Sequence, residues 1–443
     1  MIRILNAKEI SDDFFKPRTL GSSVHEKVQG ILDDVKLHGE KAIFELSQQF
    51  DKACPKTLEI AKEDLENAAN ELKENSPEIY EALCYSRDLA LAFSAEQRKC
   101  FTNFEVELRP GLFTGQKTIP VERAGIYVPA GRFPLLSSVI MGVTPAKAAG
   151  CDEVILCTPP MPHPENKDKP YADKGIMAAA YICGVDKVFA VGGAQAVAAM
   201  CYGTESIPQV QVIAGPGNKF VAEAKRIVYG EVGIDFIAGP TEVLVIADDS
   251  ANPTWVAADL LAQAEHDADA QSILVTCSEE LANAVSKEID IQLEKLDTAS
   301  TAIQSIKNNG MIILCETYEE ACKIANAKAP EHLELAFEDS PERAKLVDLC
   351  RNFGSLFIGH RSAEVLGDYA AGLNHTLPTV GTAKFTGGLS VRHFLKTVTT
   401  LRTEENPDGS VKEGVKASTK AANIIGHAEG LSGHANAAFV RMQ

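Results

Sequence analysis

From Gly125 the chain alternates short apolar runs with helix-length segments, and few architectures accept that rhythm. GIYVP, DEVILCTPP, KVFAVGG and VQVIAGPGN read as strands, and the stretches through AKAAG, IMAAAYICG, AQAVAAMCYG and KFVAEAKRIVYG read as helices between and after them. Parallel strands need a crossover of a dozen or more residues, which a helix supplies. The order therefore predicts βαβ units around a mainly parallel sheet. TEVLVIADD, SILVTCS, MIILCE, LELAFE and SLFIG repeat the pattern and predict a second parallel or mixed sheet. Residues 22–97 place apolar side chains at helical spacing and read as a helical front section. After about Val391 a helical tail is expected, broken by the turn-prone ENPDGS. The Pro-rich TPPMPHPENKDKPYADK reads as an exposed loop.

At 443 residues the chain exceeds what one core usually organises, and 45% hydrophobic residues suffice for more than one. The net charge of -18 is spread along the chain without a long Lys/Arg run, which argues against a grip on nucleic-acid phosphates. The N-terminal MIRILNAKEISDDFF has no apolar stretch of signal-peptide length, and no run approaches the ~20 apolar residues of a membrane helix. A soluble, cytoplasmic protein with neither membrane nor nucleic acid as partner is expected. The 11 cysteines are odd in number, form no CxxC pair, and in several cases sit in strand-like runs such as VILCTP. They read as reduced core residues.

Several places in this frame can carry chemistry. In LLAQAEHDADAQ, Gln263 and His266 stand three residues apart, which puts an amide and an imidazole on one face of an Ala/Leu-rich helix. An accidental polar patch is the plain alternative to a metal or polar-substrate site. The turns Val191–Gln195 and Ala214–Asn218 are glycine-rich, so backbone N–H groups there can approach a phosphate at a helix N-terminus. Neither spells GxGxxG, and such turns alone are a weak sign of a nucleotide.

Around APEHL, Pro330 ends a helix and a strand follows, which places Glu331 and His332 at a boundary. A carboxylate beside an imidazole can divide proton-transfer work, although a solvated Glu and a capping His would look the same in sequence. GDYAAGLNH reads as a loop offering Asp368 and His375, and EGLSGH adds Glu429 and His434. Gln263, His266, Asp368 and His434 together form a nitrogen/oxygen donor set without sulfur, which suits a cation such as zinc.

In this order, GIYVP, VGGAQAVAA, AGPGN, AGPTEVLVIAD, LLAQAEHD, APEHLE, GDYAAGLNHTLPT and EGLSGH resemble the zinc- and NAD-dependent histidinol dehydrogenases, from about residue 20 to the C-terminus. The resemblance implies Gln263, His266, Asp368 and His434 as zinc ligands and Glu331 with His332 as the catalytic pair. It implies that Tyr127, Gln195 and Asn218 contact NAD, and that Ser137, Thr241, His375 and Glu429 border the substrate. It implies two Rossmann-like domains in an intertwined homodimer whose partner chain supplies the residues matching Glu429 and His434. The domains expected are an N-terminal arm (1–25), a discontinuous α/β domain carrying metal and catalytic residues (26–124 with 242–389), an NAD-binding domain (125–241) and a helical tail (390–443).

The chemistry implied is a four-electron oxidation of a small polar alcohol through an aldehyde to a carboxylate, with His332 taking the hydroxyl proton and Glu331 activating water. L-histidinol is the leading substrate, and Glu429, retained in EGLSGH, favours it. Some residues depart from the usual pattern: Arg132 replaces a small residue, Ala130 a common Gly, and Thr241 a Ser. Arg132, Thr386–Leu389 and FEVELRPGLFTGQKTIPVERAG resemble the branch that oxidises 2,3-dihydroxypropane-1-sulfonate to sulfolactate, because an Arg at the pocket can pair with a sulfonate. A non-enzymatic metal- or nucleotide-binding protein is a third alternative, opposed by the six intact zinc and catalytic positions.

Overall fold

The computed structural model describes residues 2–16, 24–130 and 134–442. Two compact units emerge, Met1–Glu96 with Val121–Phe394, and Gln97–Pro120 with Leu395–Gln443. The larger unit contains two six-stranded sheets. In one, β2 (Glu59–Ile60), β5 (Arg123–Tyr127), β6 (Glu153–Thr158), β7 (Lys187–Ala190), β8 (Val212–Ala214) and β9 (Gly233–Ile234) run in the order β2-β7-β6-β5-β8-β9. Only the edge strand β2 is antiparallel to its neighbour. In the other, β1 (Arg3–Asn6), β10 (Glu242–Ala247), β11 (Gln271–Thr276), β12 (Met311–Leu314), β13 (His332–Ala336) and β14 (Ser355–Ile358) run β1-β12-β11-β10-β13-β14, all parallel.

Helices cover both faces of this second sheet, so β10, β11 and β13 are buried at every position and read as apolar runs rather than alternations. Strand pleating still sorts β13. Leu333 and Leu335 enter the core with Leu244 and Ile246, while His332, Glu334 and Ala336 take the opposite face.

The packing draws domain boundaries elsewhere than the sequence suggests. Residues 2–6, expected as an arm, contain an edge strand of the second sheet. Helix His25–His38, expected with the metal-carrying domain, turns Val28, Leu32 and Val35 into the core of the first sheet, against Val197 and Ile213. Those residues make a helical stripe, and such a stripe does not name its partner sheet.

In the smaller unit, β3 (Phe104–Arg109), β4 (Leu112–Pro120) and β15 (Leu395–Thr403) form an antiparallel sheet, followed by helices Glu413–Ala428 and Ser432–Phe439. The tail expected to be helical thus carries a strand, Leu395–Thr403, before its helices. LKTVTTLRT is rich in β-branched residues, which favour a pleated surface. Among the described residues, no helix is long and apolar enough to cross a membrane.

Candidate active site

The first sheet changes direction between β5 and β8, and its polar residues gather at the carboxyl ends of the strands there, where open α/β sheets commonly bind ligands. Tyr127 ends β5, Asn218 follows β8, and Gln195 lies in the first turn of helix Gly193–Tyr202. These three line one cleft of about 400 Å³. Close backbone packing lies beside it. Gly215 has φ +124°, and a Cβ there would stand 2.1 Å from the Tyr127 carbonyl oxygen. The Gly215 N–H donates to Asp235 (2.9 Å) and its carbonyl accepts from Lys225 (3.0 Å), both partners belonging to one buried ion pair. Asn218 Oδ1 accepts from the N–H groups of Phe220 and Val221 and caps helix Lys219–Val228. Gly193 donates to the Tyr127 hydroxyl at 3.1 Å, and burial pushes that phenol up to about 12, so it stays protonated.

The second sheet changes direction between β10 and β13, but its polar residues gather at the amino ends. Thr241 precedes β10, His332 opens β13, and Gln263 lies in the last turn of helix Pro253–Ala264, which returns the chain to that end. The Thr241 hydroxyl donates to Glu331 Oε2 at 2.5 Å, and the Glu242 N–H reaches the same oxygen at 3.0 Å. His332 Nε2 lies 3.3 Å from Asp368 Oδ1, and its Nδ1 lies 3.7 Å from Glu364 Oε2 and 3.9 Å from Glu331 Oε2. With its amide oriented to satisfy both ends, Gln263 donates to the two Glu364 oxygens at 2.8 and 3.0 Å, and its oxygen faces the Glu242 N–H at 3.3 Å and the Thr241 hydroxyl.

Burial sets the protonation of this cluster. It pushes Glu331 up to about 7, against the His332 charge and the Thr241 hydrogen bond. It drives Glu364 well above the carboxylate range, and Glu334 likewise with added repulsion from Asp259. His332 would be lowered by burial, yet the Glu331 carboxylate, the Asp368 hydrogen bond and Glu364 raise it to about 10. Asp368 is raised by burial but held below its usual value by the His332 hydrogen bond and neighbouring imidazoles.

Two expectations need local correction. His266 does not share a helix face with Gln263: the helix ends at Ala264, and His266 sits exposed in the following turn. Asp368 is not in a loop but on the short helix Glu364–Tyr369, one turn after Glu364. Glu331 and His332 are buried, neither solvated nor capping.

His375 Nδ1 lies 3.1 Å from the Asp368 carbonyl, and its Nε2 lies 3.3 Å from the hydroxyl of Ser138, the buried neighbour of half-buried Ser137. Glu429 and His434 are exposed residues of the smaller unit. Arg132 lies outside the described residues. Ser138 and Glu364 were missed by sequence reasoning. The four-residue spacing of Glu364 and Asp368 in EVLGDY was the available signal for Glu364.

The donor chemistry accepts a divalent cation. Buried Asp368 Oδ1 faces the His332 imidazole at 3.3 Å, and among the described residues no Lys or Arg pairs with Glu331, Glu364 or Asp368. Glu364 holds the Gln263 nitrogen, and the amide oxygen, which faces the Thr241 hydroxyl and the Glu242 N–H, stands at the electronegative end of a helix. Among the described residues, no three His, Cys, Asp or Glu side chains converge on a metal position.

Comparison with known proteins extends this picture. A family profile described as histidinol dehydrogenase matches residues 16–442. The chain is 42% identical over 418 residues to the histidinol dehydrogenase of Streptococcus mutans, covering 94% of this chain and 92% of the relative. It is 43% identical over 424 residues to that of Aquifex aeolicus, covering 95% and 93%. A crystal structure of histidinol dehydrogenase from Elizabethkingia anophelis superposes with a TM-score of 0.89 at 33% identity, covering 100% of this chain and 98% of that one. Fold and relatives together make the chain an α/β oxidoreductase. More narrowly, it belongs to the histidinol dehydrogenase family.

Proposed function

We propose that the protein oxidises L-histidinol to L-histidine in two NAD-dependent steps that require zinc. The observation that carries this is the buried cluster of Glu331, His332 and Asp368 at the amino ends of β10 and β13, in a chain of this family. Gln263, His266 and Asp368 would hold the ion together with His434 of the partner subunit. The smaller unit supports dimerisation, since it leaves Phe104, Val106, Leu108, Leu401, Ile424 and Ile425 exposed.

When bound, zinc would hold and orient the amino alcohol while NAD takes up one hydride in each step. Tyr127, Gln195 and Asn218 line the cleft for the dinucleotide. Ser137, Thr241 and His375, with Glu429 of the partner subunit, border the substrate. His332 takes the hydroxyl proton. Its affinity for that proton is raised by carboxylates, Asp368 among them, so engaging Asp368 with a cation moves the imidazole toward the range of a useful base. Glu331 then deprotonates the water that adds to the aldehyde. Thr241 and the Glu242 N–H both hold Oε2, which fixes the carboxylate and leaves Oε1 for that water.

Purified protein supplied with Zn²⁺ and NAD should form two NADH per histidinol consumed. In a parallel assay, turnover of 2,3-dihydroxypropane-1-sulfonate alone would transfer the assignment to the sulfonated diol and to Arg132. NADH from neither alcohol would remove both.

A further inference from the structure

The cleft of the first sheet contains an acid that the proposed chemistry does not use. Asp51 caps the C-terminus of helix Glu40–Phe50 and lines the cleft with Tyr127, Gln195 and Asn218. The Ser47 hydroxyl donates to its Oδ2 at 2.8 Å, and Gln195 Nε2 stands 3.5 Å from the same oxygen. Among the described residues no hydrogen bond is made to Oδ1, so the carboxylate is fixed by one oxygen and offers the other.

The cations of the cleft are arranged differently. Lys27 Nζ rests over the ring faces of Phe50 (4.8 Å) and Phe220 (5.5 Å), and Lys52 is exposed. A dinucleotide presents pyrophosphate anions, which the ammonium groups suit, and vicinal sugar hydroxyls, which donate. A carboxylate is an acceptor only, so it repels the first and receives the second. The reacting end of the cofactor belongs toward Ser138 and His375, on the side of helix Leu136–Ala149. Asp51 comes from the N-terminal helices instead, which leaves it the adenosine end.

We propose that Asp51 receives the 2′,3′-diol of the adenosine ribose and thereby selects NAD against its 2′-phosphorylated form. This rests on the dinucleotide role proposed for the cleft. A 2′-phosphate removes one donated hydrogen bond and sets a dianion against a fixed carboxylate, so the discrimination is strong and electrostatic.

The test is calorimetric titration of metal-free protein with ADP-ribose and with 2′-phospho-ADP-ribose, which needs no turnover. The wild type should bind ADP-ribose at least about 100-fold more tightly, the scale of one buried charge-assisted contact plus a like-charge clash. Asp51→Asn should narrow that ratio about tenfold or more, and Asp51→Glu should restore part of it. Ser47→Ala removes the hydrogen bond that positions the carboxylate but keeps its charge, so it should keep the wild-type ratio and reports any merely structural effect. If Asp51→Asn weakens both ligands equally or leaves the ratio unchanged, the assignment to the adenosine diol is overturned. If the wild type binds neither ligand, the cofactor role of the cleft falls, and this inference with it.

Discussion

The two sheets of the larger unit share a strand number and a reversal point, yet they are used from opposite ends. At the carboxyl ends of the first sheet helices begin: Gly193–Tyr202 and Lys219–Val228 point their N-termini at the cleft, an environment that favours anions. At the amino ends of the second sheet a helix finishes, and Pro253–Ala264 brings its C-terminus among Glu331, Glu364 and Asp368, which favours a cation. One fold plan thus yields two sites of opposite electrical character, according to which end of the strands is exposed. The first has glycine turns at its strand ends, and its ionisable groups, Lys27, Asp51 and Lys52, come from the N-terminal helices and the turn after them. The second is crowded with titratable side chains whose burial opposes their charge.

That contrast can be broken most sharply at His332. His332→Ala should lower kcat by about 10²–10⁴, the usual range for a proton-transfer group, with metal content unchanged by atomic absorption. Loss of the metal instead would make His332 a ligand and leave the amino-end site without its base. A smaller effect is expected at the backbone-built site. Gly215→Ala puts a Cβ against the Tyr127 carbonyl at a φ that side chains rarely adopt, and should cost about 1–3 kcal/mol in urea unfolding and weaken ADP-ribose binding. Unchanged binding would show that the turn does not shape the cleft.

The smallest effect concerns the burial of acids behind the second site. Asp259 is raised to about 6, chiefly by burial, beside Glu334. A carboxyl whose folded value lies above its ordinary one contributes stability that is complete below pH ~4 and is lost as pH rises through about 6. Metal-free Asp259→Asn should therefore be more stable than the wild type at pH 8, by about 1–2 kcal/mol, with the gap closing at pH 4. An equal gap at both values would mean that packing, not charge, dominates there.

Sequence pattern made β5–β8 and β10–β14 legible because strands buried on both faces are largely apolar, whereas the short edge strands β1, β2 and β9 gave no such run; APEHL marked a boundary because proline ends helices. What it left out depends on contacts between distant segments. Three-residue spacing looks alike whether a helix continues through His266 or stops at Ala264. GDYAAGLNH has the small residues of a loop, although its first three belong to a helix that begins at Glu364. Asp51 gave no signal at all, since it enters the cleft only when the N-terminal helices dock on the first sheet.

The edge strand β1 has a bearing on how the molecule is made. Arg3–Asn6 pairs in parallel with Met311–Leu314, so this strand, once made, waits for a partner encoded about 300 residues later. At ordinary synthesis rates that delay is roughly 15 to 60 s. During it the first sheet can close around its own consecutive βαβ units, while the N-terminal segment stays unpaired and open to chaperones or proteases. The second sheet is thus completed late, by capture of a segment made about 300 residues before its partner.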